Sequence, residues 1–390
     1  MVLTRKRMKE IVPQYSLTGD LLSFLRCGLQ YRYHSGSSLP PSRPVQLWFG
    51  EFIHGVMENA YRIWTNGAPP FPWPCNPTPA HSPVLTGRAL YDIGTMGDTV
   101  EATLSAEGKN PRSFDVRDNA YVRAELAVNE LGPHLFPLIA SAEEKVIGTR
   151  TIPATVMRIP NARSRLYELH GVIDVLTDVQ LNGAQTTNVI RQAIQDSCPG
   201  LTGRFEVIVD YKGSRRPSTD HEYWRQGAWQ LQTYAWLRMR QPNSLPVAAG
   251  VLLYVNELAP VQDDLSKLKK EIREGRTDVF PQRSGQDGYQ LSAWRPGNAI
   301  PGFSLDFRYA RAIRVVPVNV TSQAAATTQF DNVVAAIERC VLNEAGAGRI
   351  LQHWSPTGDA ESCVACDFRY FCPDPHPHSG PRAIKAPGAP

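Results

Sequence analysis

Apolar and polar positions along the chain follow two patterns, one typical of strands and one typical of helices. Period-two and short continuous apolar runs predict buried strands at 166–179, 204–212 and 247–255, further strands from 144 onward, and edge strands at 303–320. Apolar positions three to four residues apart predict helices at 16–27, 46–64, 89–142, 222–240, 262–276 and 321–343. The mixture of the two kinds of element indicates an α/β protein.

The same patterns divide the chain into six parts, and seven prolines between residues 66 and 88 mark the first half of an insertion. In chain order, the parts are a flexible start (1–15), N-terminal helices (16–64), a helical insertion (65–142), an α/β core (143–350), a cysteine-rich segment (351–375) and a disordered tail (376–390). The tail is predicted to be disordered because it is rich in proline and poor in apolar residues that could form a core.

Composition narrows the class of protein. The hydrophobic content of 42% is that of a soluble globular protein, and a net charge of +4 is too small to indicate nucleic-acid binding by itself. No apolar run approaches the length of a membrane span, and the basic start lacks a signal-peptide core. We therefore expect a cytoplasmic protein, in which the seven cysteines stay reduced and do not form a disulfide framework.

The strand at 204–212 ends in Asp210-Tyr211-Lys212, whose two charged side chains share one face of the strand. An acid beside an amine at the end of a buried strand can hold a metal ion and a water molecule next to it. The same acid-x-lysine spacing occurs at Glu107/Lys109 and at Glu143/Lys145. One copy alone is therefore more typical of a solvated surface pair.

Other polar residues strengthen the hypothesis of a site at Asp210. Asp174 lies within an apolar strand, where a carboxylate is costly to bury unless it is paired or bound to metal. His54 lies on an amphipathic helix, where a lone histidine is more often structural than a ligand. Gln230 and Tyr234 share one face of the helix that follows Lys212.

Three thiols near the C-terminus have the spacing of metal ligands: Cys363, Cys366 and Cys372. A site with four ligands needs one more thiol, and Cys27 is the candidate because it closes a short helix. Zinc and an iron-sulfur cluster both remain open at this point. The other three cysteines, Cys75, Cys198 and Cys340, lack a partnered spacing and are taken as ordinary thiols.

In chain order, this set of residues resembles the RecB-like branch of the PD-(D/E)XK nuclease superfamily. It is most similar to the iron-sulfur members: CRISPR-adaptation exonucleases, AddB-type helicase-nuclease subunits and the nuclease domain of the eukaryotic Okazaki-fragment helicase-nuclease. The resemblance covers 16–64 and about 144–373. It implies a restriction-endonuclease-like mixed central sheet flanked by helices, with 143–350 as the nuclease core and 351–375 as an iron-sulfur segment that closes the fold.

The resemblance also implies roles for single residues. His54, Asp174, Asp210 and the backbone carbonyl of Tyr211 would hold Mg²⁺ or Mn²⁺, and Lys212 would orient or deprotonate the attacking water. Gln230 would organise the site, and Tyr234, Arg215 and Arg216 would contact nucleic acid, with a supporting role as the alternative for Tyr234. Cys27, Cys363, Cys366 and Cys372 would hold a structural 4Fe-4S cluster.

The function implied is a metal-dependent DNA exonuclease or end-processing enzyme that prefers single strands. Its setting would be repair, recombination, CRISPR-like adaptation or antiviral defence. A separate helicase is a plausible partner, because the chain has no phosphate-binding loop of the Walker type. Two alternatives stay open: a catalytically inactive subunit that binds DNA or a partner protein, and a zinc-bound interaction module.

Overall fold

The computed structural model describes residues 12–36, 46–67, 69–79, 87–153, 163–178, 183–350 and 353–357, together with Cys363, Cys366, Phe368, Arg369, Cys372 and Pro373. The tail expected to be disordered at 376–390 lies outside the described residues, as does most of the start expected to be flexible. Within the 1–15 segment, however, Gln14 and Tyr15 are ordered, because they pair with a strand of the central sheet.

The described strands form one mixed sheet. They are β1 (Gln14–Ser16), β2 (Ile139–Thr151), β3 (Leu166–Asp178), β4 (Glu206–Lys212), β5 (Val247–Tyr254) and β6 (Ile313–Pro317). The order is β1-β3-β4-β5-β6, and β2 pairs with β3. The β1–β3 and β4–β5 pairs are parallel, whereas the β2–β3, β3–β4 and β5–β6 pairs are antiparallel.

Helices cover both faces of this sheet, which confirms the expectation of a mixed central sheet flanked by helices. The described α-helices are α1 (Ser23–Arg26), α2 (Gly28–Gly36), α3 (Gln46–Thr65), α4 (Ile93–Ala106), α5 (Phe114–Leu126), α6 (Gly132–Leu135), α7 (Val189–Ser197), α8 (Glu222–Arg238), α9 (Gln262–Glu274), α10 (Gln286–Ala293), α11 (Leu305–Ala312) and α12 (Val320–Ala347). None of the described helices has both the length and the apolar character that crossing a membrane requires.

The segment 303–320, predicted as edge strands, instead holds α11 followed by the short strand β6. Its apolar residues fit both periods, so the local start signal decides between them. The Ser304 side chain accepts a hydrogen bond from the Phe307 backbone N–H at 3.2 Å, which caps a helix. Leu305, which an alternating strand would bury with Phe307, is 47% exposed.

Two apolar cores lie on opposite faces of the sheet, and β4 contributes to both. Val207 and Val209 pack into the core with α3, α4 and α5, whereas Ile208 packs into the core with α8 and α12. Helices α3 and α4 approach closely at Gly55, where an added Cβ would lie 2.8 Å from Val100 Cγ1. The 65–142 insertion thus covers the outer side of α3 and fixes the helix that carries His54.

Helix α12 is fixed to the sheet by two buried carboxylates seven residues apart, Asp331 and Glu338, each about 1% exposed. Each accepts hydrogen bonds from one arginine and one tyrosine of the β1–β3 region. The partners are Arg150 (2.7 and 2.8 Å) and Tyr167 (2.6 Å) for Asp331, and Arg163 (2.6 and 3.0 Å) and Tyr15 for Glu338. Buried carboxylates with complete sets of partners can hold a helix in one register.

Candidate metal centre

Strands β3 and β4 separate partway along their length, and the sheet forks there. β4 pairs with β3 only through 206–209, opposite 175–178, and its last residues continue beside β5 alone. On the same side of β3, the short strand β1 pairs with 168–170. Asp174 lies on β3 where the strands part, and Asp210 and Lys212 lie on the free end of β4. Side chains from both strands can therefore meet in the fork.

Helix α3 brings a histidine to this fork. His54 Nδ1 lies 3.4 Å from Asp174 Oδ2, and His54 Nε2 donates to the backbone carbonyl of Tyr211 at 3.1 Å. The Tyr211 backbone N–H donates to the same Asp174 carboxylate at 3.0 Å. The predicted residues of α3, β3 and β4 are thus in direct contact, although 157 positions of the chain separate His54 from Tyr211.

Asp210, Lys212 and Gln230 form a second group on the α8 side of the fork. Lys212 Nζ donates to Gln230 Oε1 at 2.7 Å, and Gln230 Nε2 donates to Asp210 Oδ1 at 3.1 Å. Asp210 Oδ2 lies 2.5 Å from Lys212 Nζ, yet this buried oxygen accepts no well-aligned hydrogen bond. One carboxylate oxygen of a residue that is 3% exposed therefore retains bonding capacity.

Tyr234 lies one helical turn after Gln230 on α8 and contacts this group. It is 4% exposed, and its hydroxyl lies 3.4 Å from Gln230 Nε2. A Cβ added to Gly171 would lie 2.6 Å from the Tyr234 ring, so the glycine three residues before Asp174 lets β3 cross α8 closely. Of the two roles predicted for Tyr234, burial favours the supporting one over contact with nucleic acid.

Glu143 is a candidate ligand that the sequence did not single out. Ligand atoms of His54, Glu143 and Asp174 all lie within 4.8 Å of one another, a spacing that could hold a metal ion. The pairing of β2 with β3 places Glu143 opposite Asp174, between the pairs Ala142–Val175 and Glu144–Ile173. Its φ of 54° is unusual for a residue other than glycine and holds the side chain in a strained backbone position.

The electrostatics of the fork favour a cation. Burial raises the pKa of Asp174 to about 7; the positive charge of His54 opposes this shift and the carboxylate of Asp210 adds to it. Burial also disfavours charge on His54, but the Asp174 and Asp210 carboxylates outweigh it and raise the pKa of His54. Burial and the nearby Glu58 raise the pKa of Glu143. Carboxylates that lie close together and repel one another are stabilised by a bound cation.

The donors in the fork fit a hard divalent ion. Carboxylate and carbonyl oxygens with one imidazole suit Mg²⁺ or Mn²⁺, and Asp210 Oδ2 is a buried oxygen with bonding capacity left. His54, Glu143 and Asp174 would form one side of the ion's coordination, with Asp210 and the Tyr211 carbonyl beside them.

Replacing Glu143 with glutamine tests its place among these ligands. We expect the E143Q variant to bind Mn²⁺ at least about 10-fold more weakly than the wild-type protein, because one anionic ligand is lost. Isothermal titration calorimetry would measure the dissociation constant. Glu168→Gln is the matched control, since it removes the same charge from the neighbouring strand β3. Equal Mn²⁺ affinities for E143Q and E168Q would remove Glu143 from the ligand set.

Arg215 and Arg216, predicted to bind nucleic acid, both form ion pairs inside the fold. Arg216 is 4% exposed; its guanidinium pairs with Asp278 at 2.5 and 2.9 Å and donates to backbone carbonyls near β6. Arg215 makes a two-point pair with Glu271, with both distances 2.7 Å. A phosphate could reach these groups only by breaking internal ion pairs.

The C-terminal segment packs on the N-terminal helices that carry Cys27. The Leu29 backbone N–H donates to the Ser355 carbonyl at 3.1 Å, and the rings of Phe24 and Trp354 lie 6.1 Å apart. Further along, the rings of Tyr33 and Phe368 lie 5.1 Å apart. Burial raises the pKa of Tyr33, and the charge of nearby Cys372 adds to the shift. The described part of the C-terminal segment thus packs beside the helices that flank Cys27.

Within the described part of the chain, the cysteine sulfurs do not gather into a group of three within 4.8 Å of one another. Four thiolates on one zinc ion would lie about 3.8 Å apart, because each Zn–S bond is about 2.3 Å. The sulfurs are therefore not arranged around a single ion. The structure gives no direct support for a 4Fe-4S cluster, which stays a proposal.

Comparison with known families covers the β4 and α8 side of the fork, whereas His54, Glu143 and Asp174 lie outside the matched residues. Residues 202–373 match the family model of the PD-(D/E)XK nuclease superfamily, a segment that contains Asp210, Lys212 and Gln230. No curated protein matches the chain. The family match and the mixed sheet flanked by helices support a PD-(D/E)XK superfamily domain with a restriction-endonuclease-like fold. Members of that superfamily are usually metal-dependent nucleases that act on DNA.

Proposed function

We propose that the protein is a divalent-metal-dependent deoxyribonuclease whose active site is the fork between β3 and β4. The observation that carries the proposal is that the Tyr211 backbone, between Asp210 and Lys212, bonds to both His54 and Asp174 and so joins them to the group of Asp210, Lys212 and Gln230. The match of residues 202–373 to a nuclease superfamily supports it independently. A binding subunit without activity would have no need for a lysine held by hydrogen bonds beside the ligand carboxylates.

In this proposal, the carboxylates of Glu143, Asp174 and Asp210, with His54 and the Tyr211 carbonyl, bind Mg²⁺ or Mn²⁺. The bound ion would lower the pKa of a water molecule and offset the charge of the phosphate under attack. These ligands lie on three strands and one helix of the folded protein, so they are in place before the substrate binds. A site that is already assembled favours fast chemistry.

Lys212 orients the attacking water or helps to deprotonate it. Its positive charge also stabilises the negative charge that develops on the phosphate. Its ammonium group lies between Gln230 Oε1 and Asp210 Oδ2, at 2.7 and 2.5 Å. The Gln230 amide fixes both neighbours at once, since its nitrogen donates to Asp210 while its oxygen accepts from Lys212. Gln230 is therefore a positioning residue, and Lys212 is the catalytic residue.

The preference for single strands and strand ends rests on the resemblance to RecB-like exonucleases. Oligonucleotides labelled at the 5′ or the 3′ end, single-stranded or duplex, would test it with Mn²⁺ present. We propose that single strands are degraded from an end, so that one of the two labels appears at once as the shortest product. A ladder of internal fragments from the earliest times would overturn the exonuclease assignment while retaining the nuclease.

A structural 4Fe-4S cluster held by Cys27, Cys363, Cys366 and Cys372 is part of the proposal. The support is the packing of the C-terminal segment on the helices around Cys27. The proposed setting is DNA repair or recombination, CRISPR-like adaptation or antiviral defence, and the proposed partner is a separate helicase. A cytoplasmic location is proposed because iron-sulfur proteins need reduced thiols.

The cluster proposal predicts a coloured protein whose colour depends on a cysteine far from the other three. Purified without oxygen, the wild-type chain is expected to hold about four irons and to absorb visible light. Cys27→Ser should lose most of that iron, whereas Cys75→Ser, the control on the insertion, should keep it. Elemental analysis and the visible spectrum give the result. A colourless protein with one zinc, or a Cys27→Ser variant with full iron content, would contradict the assignment.

A further inference from the structure

The β2–β3 ribbon has one covered face and one open face. On the covered face, Cβ atoms added at Gly148 and Gly171 would lie 2.9 Å from Trp236 and 2.6 Å from Tyr234, both on α8. The opposite face carries the cross-strand pairs Lys145–Val172 and Ile147–His170. These four residues, which we call the open ribbon face, include two exposed apolar side chains, Ile147 at 49% and Val172 at 37%.

The open ribbon face adjoins the candidate metal centre directly. Lys145 lies two residues after Glu143 on β2, and Val172 lies two residues before Asp174 on β3. Two residues of strand span about 7 Å, and residues two apart point to the same face. The face therefore continues the surface on which the Glu143 and Asp174 carboxylates stand, on the side that α3 leaves uncovered.

The chemistry of this face complements a nucleic-acid strand. Lys145 is exposed, and its ammonium group has no hydrogen bond or ion pair with any residue that the structure describes. Ile147 and Val172 are diagonal neighbours that form a small apolar floor, and His170 is exposed beside them. A cation next to an apolar and ring-bearing surface suits a chain that alternates phosphates with flat bases.

We infer that the open ribbon face binds the single strand whose phosphodiester enters the fork. Lys145 holds a phosphate near the one that is cut, and Ile147, Val172 and His170 contact the adjoining bases. Between His170, where the pairing with β1 ends, and Val175, where the pairing with β4 begins, the β2–β3 ribbon is only about 5 Å wide between strand axes, which fits one nucleic-acid strand with its bases exposed. A duplex would present its phosphates and keep its stacked bases away from the apolar floor. The inference rests on the proposed function for its substrate.

Binding of a fluorescent 20-nucleotide oligo-dT in EDTA tests this face without any metal-dependent cleavage. Lys145→Glu is expected to weaken binding at least tenfold. Lys145→Met should make the slope of log affinity against log salt shallower by about 0.7, the value for one phosphate contact on a single strand. Ile147→Ser should weaken binding at an unchanged slope. Lys270→Glu, on α9, makes the same charge change as Lys145→Glu and is expected to bind as the wild type does.

Three results would overturn this inference. The first is wild-type affinity in both Lys145→Glu and Ile147→Ser; the second is equal weakening by Lys270→Glu. The third is competition by a blunt duplex as effective as that by the single strand. Hydrolysis of thymidine 5′-(p-nitrophenyl phosphate), which has one phosphate and one base and therefore no adjoining nucleotides, tests the proposed function separately from this inference. Lys270→Glu should hydrolyse it at the wild-type rate, and a wild-type protein inactive on it with Mn²⁺ would count against the nuclease itself.

Discussion

Replacing Lys212 with methionine is expected to lower the rate of phosphodiester cleavage by about 10³-fold or more while divalent-metal binding persists. Methionine keeps the length and apolar stem of the side chain but removes the ammonium group held between Gln230 and Asp210. Single-turnover cleavage of an end-labelled oligonucleotide would measure the rate, and calorimetry with Mn²⁺ would measure binding. If Lys212 acts directly in the chemistry, its methionine variant loses the cleavage rate but keeps its affinity for Mn²⁺.

Asp210→Asn should behave differently from Lys212→Met, because Asp210 is placed among the ligands. We expect loss of both cleavage and tight Mn²⁺ binding, with a thermal unfolding midpoint close to that of the wild type. Asp196→Asn, on the exposed side of α7, removes the same charge and serves as the control. A Lys212→Met protein with more than a tenth of the wild-type rate would contradict the role of Lys212. Tight Mn²⁺ binding by Asp210→Asn would contradict the ligand assignment.

Replacing Asp331 with alanine is expected to lower the free energy of unfolding by about 3–5 kcal/mol, the usual cost of removing one partner from a buried ion pair. Asp331 is 1% exposed and accepts three hydrogen bonds, from Arg150 and from the fully buried Tyr167. The alanine variant leaves the tyrosine hydroxyl without its acceptor and the arginine without its charge partner. Urea unfolding followed by circular dichroism would give the free energy.

The neighbouring position supplies the control for Asp331→Ala. Asn332 is exposed on the same helix, and Asn332→Ala should change the free energy of unfolding by no more than about 0.5 kcal/mol. Asp331→Asn should lie between the two, since an amide oxygen can still accept from Tyr167. If Asp331→Ala cost less than 1 kcal/mol, the buried pair would not be what fixes α12 to the sheet.

The parts of the site that the sequence predicted are those with a strong local signal. Asp210 and Lys212 end an apolar strand, and Asp174 interrupts another, so an acid in each stands out against its neighbours. His54 could be assigned only through the family resemblance, because one histidine on an amphipathic helix has no local mark of a ligand. The structure then places it 3.4 Å from Asp174.

Glu143 could not be identified from the sequence, because the features that mark it as a ligand depend on distant parts of the chain. Its place opposite Asp174 depends on the register between β2 and β3, and its φ of 54° depends on the surrounding fold. In the sequence it is one acid of an Asp/Glu-x-Lys pattern that occurs several times. Such a residue becomes visible only when strand pairing is known.

Buried ion pairs are a second feature that could not be predicted from the sequence. Arg216 lies in a polar loop and Asp331 lies on an amphipathic helix, yet each is almost fully buried and pairs with a residue at least 60 positions away. Two adjacent arginines in a loop suggest nucleic-acid binding when only the sequence is known. In the structure, Arg215 and Arg216 pair with Glu271 and Asp278. For α11, the apolar pattern suited a strand as well as a helix, and the Ser304 cap selected the helix.

The most direct test of the central claim is Mn²⁺-dependent cleavage of a labelled single-stranded oligonucleotide by the full chain. The same sample would be assayed with Mn²⁺, with excess EDTA, and again after Mn²⁺ is restored. A metal-dependent nuclease centre in the fork predicts cleavage that EDTA abolishes and Mn²⁺ restores, and that Asp210→Asn never shows. Cleavage that persists in EDTA, or equal cleavage by wild type and Asp210→Asn, would contradict the claim.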